Sequence, residues 1–188
     1  MTKSYQPYEL ERSLLENAYG QAKSLPVFEG SHRKLEANYV GCIGEMVVAD
    51  YLRRNGIDVD DDREKTTHDF LAGPNKRTVD VKTKDRTVAP KIEYDNSVPL
   101  YNHDHQRPEF YYFVSLIRPK KSEKSDIFRF KKAFIIGGID LNTLDRVGQR
   151  WEKDQVDASN GTKFWTACIN VPMAQLLSNE DMCKALSN

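Results

Sequence analysis

The spacing of hydrophobic positions changes several times along the chain, and each change marks an element. Leu10, Leu14, Ala18 and Ala22 recur every four residues, which predicts a first helix from about Pro7 to Ala22 with Pro7 in its opening turn. In "SHRKLEANYVGCIGEMVVADYLRRNGI", Leu35, Tyr39, Cys42, Ile43, Met46 and Val47 form an apolar stripe at helical spacing. Ser31 is the expected N-cap of this second helix, and Asn55-Gly56 the expected stop, with Ile57 packing back. Gly41 and Gly44 would weaken an isolated helix, so close packing against a neighbour is their expected role.

A period of two takes over in "HDFLAGPNKRTVDVKTK". With Pro74 and Asn75 at the centre of a turn, Asp69 lies opposite Asp80, Phe70 opposite Val79 and Leu71 opposite Thr78. Phe70, Ala72, Val79 and Val81 then share a buried face, while Asp69, Asp80 and Lys82 share the other. A slip of one residue would scramble both groups, so apolar pattern and acid pairing specify the same register. "DVDDDREK" before the hairpin reads as a solvated connector; it lacks the central glycine of a calcium loop. Residues 85–108, with Pro90, Pro99 and Pro108, read as a long irregular excursion.

"EFYYFVSLI" is a strand by its aromatic and β-branched content, and "IFRFKKAFIIGGI" is its expected antiparallel neighbour. "DLNTLDRVGQRWEKDQVD" is polar with weak helical character, "FWTACINV" reads as a last strand, and one or two closing helices begin at Pro172. Helices, hairpin, strands and helix in that order predict an α/β fold, a mixed central β-sheet flanked by helices. A single domain is expected, with a helical extension over 1–30, a core over 31–177 and a helical tail over 178–188.

Composition narrows the class. Of 188 residues, 39% are apolar and 30% charged, which fits a globular protein and argues against wholesale disorder. Lys plus Arg number 28 and Asp plus Glu number 28, so no global field announces a nucleic-acid partner, though local basic patches remain. Cys42, Cys168 and Cys183 have no zinc-like spacing and suit a reducing compartment. "MTKSYQPYELERS" has no apolar core of signal-peptide length, and no run could span a bilayer, so a cytoplasmic protein with no membrane partner is expected.

The hairpin carries the candidate chemistry. Carboxylates directly opposite each other repel, and a divalent cation between them removes that penalty. Magnesium favours oxygen ligands from one or two carboxylates with retained waters. Lys82 would sit beside such an ion, able to orient a water or to stabilise charge on an attacked phosphate. Lys76, Arg77, Lys84 and Arg86 flank the hairpin and are candidates for backbone phosphates. In "YNHDHQ", His103 and His105 read first as part of a polar loop, second as substrate contacts and last as zinc ligands, since no further ligand pair stands at metal spacing. Tyr101 and Gln106 are further candidates of the same kind.

Gly44-Glu45 on a helix, Asp69 at a strand, then Asp80-Val81-Lys82 resembles the PD-(D/E)xK nuclease superfamily, over roughly residues 31–177. "AFIIGGIDLNTL" followed by a strand and "VPMAQLL" is similar to that family's tail, and the chain's small size resembles phage-encoded members. The resemblance implies a restriction-endonuclease-like core and a DNA-cleaving, Mg2+-dependent enzyme in which Mn2+ can substitute. Glu45 is similar to the helical acid, Asp69 to the motif aspartate, Asp80 to the second acid and Lys82 to the lysine. It also implies a homodimer where both strands of a duplex are cut. His68 stands where the motif often has proline, and residues 85–108 do not resemble the helix usual after the lysine strand. A non-catalytic nucleic-acid-binding or assembly module on the same fold is the alternative.

Overall fold

The computed structural model describes residues 5–27, 34–100 and 105–188. Along the chain these form β1 (Gln6–Glu9), α1 (Arg12–Ser24), α2 (Leu35–Arg54), β2 (Val59–Asp61), a 3-10 turn (Arg63–Lys65), β3 (Phe70–Ala72) and β4 (Arg77–Arg86). There follow β5 (Asp95–Pro99), β6 (Phe110–Ile117), β7 (Lys132–Asp140), α3 (Leu141–Val147), β8 (Gln149–Trp151), β9 (Cys168–Pro172), a second 3-10 turn (Met173–Gln175) and α4 (Asn179–Ser187). Six strands make a mixed sheet in the order β1-β7-β6-β4-β3-β2, and β5-β9-β8 make a separate three-stranded sheet. The fold is α/β, as the element order predicts.

The apolar stripe of α2 buries Tyr39, Val40, Cys42, Ile43, Val47, Val48 and Leu52 against one face of the large sheet, where Phe70, Ala72, Val79, Val81, Tyr112 and Val114 meet it. The helix stops as expected. Gly56 takes the left-handed conformation (φ 76°), its N–H donates to Arg53 O, and the N–H of buried Ile57 donates to Leu52 O, both at 3.0 Å. That is a Schellman closure, with an apolar residue folded back over the last turn. Gly44 explains the close approach of helix and sheet: a Cβ there would lie 1.9 Å from Thr83 Oγ1 and 3.0 Å from Thr83 Cβ. Gly41 has no such constraint, its nearest neighbour being Glu45 Oε1 at 3.4 Å.

The β3–β4 register matches the expectation: Phe70 pairs Val79, Leu71 pairs Thr78 and Ala72 pairs Arg77. β4 then pairs β6 in parallel, with Asp80 beside Tyr111 and Lys82 beside Phe113. β6 and β7 are antiparallel, as expected.

Three expectations are corrected. Pro7 lies not in a helix but in β1, an edge strand paired with β7, where a residue without an N–H is tolerated. The first helix starts only at Arg12. "DVDDDREK" is structured, supplying β2 and the 3-10 turn. Residues 85–108 finish β4 and include β5, which pairs with the final strand β9. The second sheet covers the other face of the large one, so Tyr111, Phe113, Ile136 and Ile139 join Val98, Val171, Met173 and Leu176 in a second core. The hairpin's charged face therefore turns towards protein. Ser31, Tyr101, His103 and Asp104 lie outside the described residues.

Candidate metal and phosphate site

Strand alternation puts Asp80 and Lys82 on one side of β4, and burial then determines what they do. Asp80 is 2% exposed, and its Oδ2 lies 2.7 Å from Lys82 Nζ, an ion pair outside hydrogen-bond geometry. Asp69, one residue before β3, is held by the hairpin itself. Its N–H donates to Val79 O (3.0 Å), and its Oδ2 accepts the Val81 N–H at 2.6 Å. The ladder itself ends at Phe70 and Val79, and Asp69 bonds the backbone on either side of Asp80 rather than pairing with it.

Glu45 projects from α2 one residue after the glycine that meets Thr83, so helix packing fixes its position. Its Oε2 lies 3.0 Å from Arg63 Nη1, whose Nε donates to Asp61 Oδ1 at 2.8 Å. Burial pushes the Glu45 carboxyl up to about 7; Arg63 pulls it down, and Asp80 and Asp61 add to the rise. Asp69 is raised well above the ordinary carboxylate range by burial first, then by the charges of Glu45 and Asp80, against the pull of Lys82 and the Val81 N–H. Glu45 therefore feels the charge of Asp80, and Asp69 that of both, as acids drawn together away from bulk water must.

Glu45 and Asp69 line the floor of a cleft of about 1350 Å³. Asp61, Asp62, Arg63, Glu64, His68, His105 and Gln106 line it too, facing an apolar stretch at Leu25, Pro26 and Val27. His68 is buried, with Nε2 3.0 Å from Asp62 Oδ2 and Nδ1 2.8 Å from Thr67 Oγ1. His105 Nε2 is 2.8 Å from Thr66 Oγ1, and Gln106 Nε2 donates to Thr66 O. Both residues from the irregular segment thus reach the cleft wall.

The flanking cations are placed differently from one another. Lys76 is exposed at the turn and pairs with Asp60 at 2.6 Å; Arg77 pairs with Glu109 at 2.6 Å. Lys84 and Arg86 are partly buried. Lys84 Nζ donates to Asp95 O (3.1 Å) and Ser97 Oγ (3.3 Å), and burial lowers its pKa to about 8. Arg86 donates to Ser115 Oγ and Asp95 O and lies over the Tyr94 ring.

Sequence reasoning missed Arg63, which sits in the acidic connector and reaches a helical acid 18 positions upstream. The one signal was a lone arginine within "DDDRE", which gives no hint of its partner. It also missed the pairing of buried His68 with half-buried Asp62.

The donor chemistry of the cluster suits a hard divalent cation: carboxylate oxygens, an excess of negative charge and little water. Among the described residues, however, no group of three or more His, Cys, Asp and Glu side chains stands arranged to hold a metal ion. Glu45 is engaged by Arg63 and Asp80 by Lys82. Fit is therefore one of charge and ligand type, and convergence on an ion requires these side chains to rearrange. Among the described residues no helix is long and apolar enough to cross a membrane. No protein-family model matches the chain, and no curated protein matches it.

Proposed function

We propose that this protein is a Mg2+-dependent nuclease that hydrolyses DNA phosphodiester bonds, on a restriction-endonuclease-like core of the PD-(D/E)xK kind. The observation that carries the reading is the approach of Glu45, Asp69 and Asp80, from a helix and two strand segments, near enough for the charge of one to act on another beside Lys82. Even with Arg63 beside Glu45 and Lys82 beside Asp80, two of the three carboxyls, Glu45 and Asp69, are pressed to hold protons more tightly. A divalent cation would relieve the charge that Arg63 and Lys82 leave.

In this reading Asp69 and Asp80 hold the ion, Mg2+ or Mn2+, and Glu45 assists directly or through water. The ion would supply charge neutralisation at the phosphate and a water nucleophilic at neutral pH. Lys82 donates hydrogen bonds to the negative charge that builds during attack, its ammonium kept in place by Asp80. Asp69 keeps its carboxylate oriented through the Val81 N–H. His105 and Gln106 line the cleft as contacts for the nucleic acid. The crossover after β4 departs from the family pattern, since its described residues form β5 rather than a helix.

A second reading, a binding or assembly module without catalysis, is favoured by one observation: Arg63 already neutralises Glu45. Purified protein incubated with Mg2+ and linear, circular and branched DNA separates the two. Cleavage that chelation stops and Asp80→Asn removes is expected; no cleavage of any substrate with either Mg2+ or Mn2+ would leave the binding module as the better account.

A further inference from the structure

We propose that Arg63 is an exchangeable counter-ion. It neutralises Glu45 when no divalent cation is bound, and on cation entry it is released into the cleft, where it holds a phosphate of the nucleic acid. The inference rests on the nuclease reading of the same site and adds to it a substrate-positioning residue and a coupling between ion and substrate.

The placement of Arg63 supports this. The guanidinium reaches the helical acid from the 3-10 turn, with Nη1 3.0 Å from Glu45 Oε2, and is steadied by Asp61 at Nε. Its side chain is 20% exposed and lines the cleft, so it is neither sealed in the core nor free on the surface. The acids around it outnumber it: Glu45, Asp61, Asp62, Glu64 and Asp69 line the same cleft. A cation arriving at Glu45 must either tolerate a guanidinium 3.0 Å from that carboxylate or displace it. Displacement leaves Arg63 tethered through Asp61 and still facing the cleft. A planar guanidinium there suits bidentate contact with phosphate, which a bare acidic cleft would repel.

Ion and nucleic acid should therefore bind cooperatively, each favouring the state in which Glu45 and Arg63 are parted. Without the ion, Arg63 is occupied and the cleft stays acidic. With it, the carboxylates are neutralised and one cation is freed.

The test compares wild type, Arg63→Gln and Arg63→Lys at pH 8, where Glu45 is ionised. Mn2+ binding is measured by calorimetry without DNA, and binding of a short duplex is measured in Ca2+ as a non-cleaving ion. Arg63→Gln is expected to bind Mn2+ about tenfold tighter and DNA about tenfold weaker, with Arg63→Lys between it and wild type. Equal or weaker Mn2+ binding by Arg63→Gln, or unchanged DNA binding, overturns the exchange. In wild type, the Arg63 guanidinium NMR signal, assigned through the bonds of its own side chain, should move in step with Mg2+ saturation. A signal that stays fixed while calorimetry shows an ion binding also overturns it, whether or not the variants fold. If wild type binds neither Mn2+ nor Mg2+, the metal-dependent reading falls and takes this proposal with it. If wild type binds the ion and only the Arg63 comparisons fail, the nuclease reading stands alone.

Discussion

The two halves of β4 carry the same kind of side chain to opposite ends. Positions 80, 82, 84 and 86 point to one face of the strand, and three of the four are cationic. Asp80 and Lys82 lie by Asp69 and Glu45, where burial and like charge press carboxyls to keep their protons. Lys84 and Arg86 lie under β5, bonded to carbonyl and hydroxyl oxygens, where burial presses the ammonium to lose its proton. Alternation fixes the face of a strand; the element that covers the face fixes the chemistry. One half is unbalanced and invites a partner, while the other is already satisfied by neutral acceptors.

The largest expected effect breaks the unbalanced half. Asp80→Asn or Lys82→Ala should lower metal-dependent cleavage at least ~100-fold, measured with excess DNA. Because Asp80 is buried, Lys82→Ala also strands a carboxylate and should cost up to about 3 kcal/mol in chemical denaturation. Asp80→Asn with wild-type cleavage would remove Asp80 from the site altogether.

Gly44→Ala comes next. A methyl 1.9 Å from Thr83 Oγ1 must push α2 off β4, costing about 1–3 kcal/mol and moving Glu45 with the helix. Activity at a temperature where the variant is folded should fall. Unchanged stability and activity would mean that Glu45's placement does not depend on this contact.

The pH dependence of stability sharpens the contrast, because the two halves have opposite slopes. Glu45 ionises near 4.5 in the unfolded chain and about 7 in the folded one, so the folded state binds more protons between these values. Stability from this group is full below 4.5 and declines as pH rises to about 7; Asp69 acts in the same direction. Lys84 runs the other way: it titrates near 10.5 unfolded and about 8 folded, so stability rises with pH across that window. Thermal melts should show Glu45→Gln flattening the acid-side decline and Lys84→Met flattening the alkaline rise. Added Mg2+ should offset the decline near pH 7 and leave the alkaline rise alone.

The smallest effect belongs to Lys84→Met itself. Replacing a partly buried cation by an apolar chain of similar length should change stability near pH 7 by less than about 1.5 kcal/mol, and cleavage less than ~3-fold. A large loss of DNA binding would return Lys84 to the phosphate-contacting role that its sequence position suggested.

The hairpin was legible because two independent patterns, Phe70-Ala72-Val79-Val81 and Asp69-Asp80-Lys82, agree on one register. α2 was legible because its stripe and its Asn55-Gly56-Ile57 closure are local, whereas the partner of Gly44, Thr83, belongs to β4. The second sheet was not. β5, β8 and β9 are short, lie far apart in sequence, and acquire their pairing only from the fold. Lys84 and Arg86 were assigned to phosphate because nothing local reveals that β5 covers them. Arg63 was hidden for the same reason, its partner belonging to a helix that ended before the connector began. Pro7 misled through a shared preference, since helix starts and sheet edges both suit a residue lacking an N–H.

The bond from the Val81 amide to Asp69 has one more implication. A carboxylic acid can still accept that bond through its carbonyl oxygen, more weakly than a carboxylate does, so gaining a proton loosens the contact without removing it. Acidification should therefore silence Asp69 electrically without dislodging it, and restoring the pH would re-arm the same oxygen in the same place.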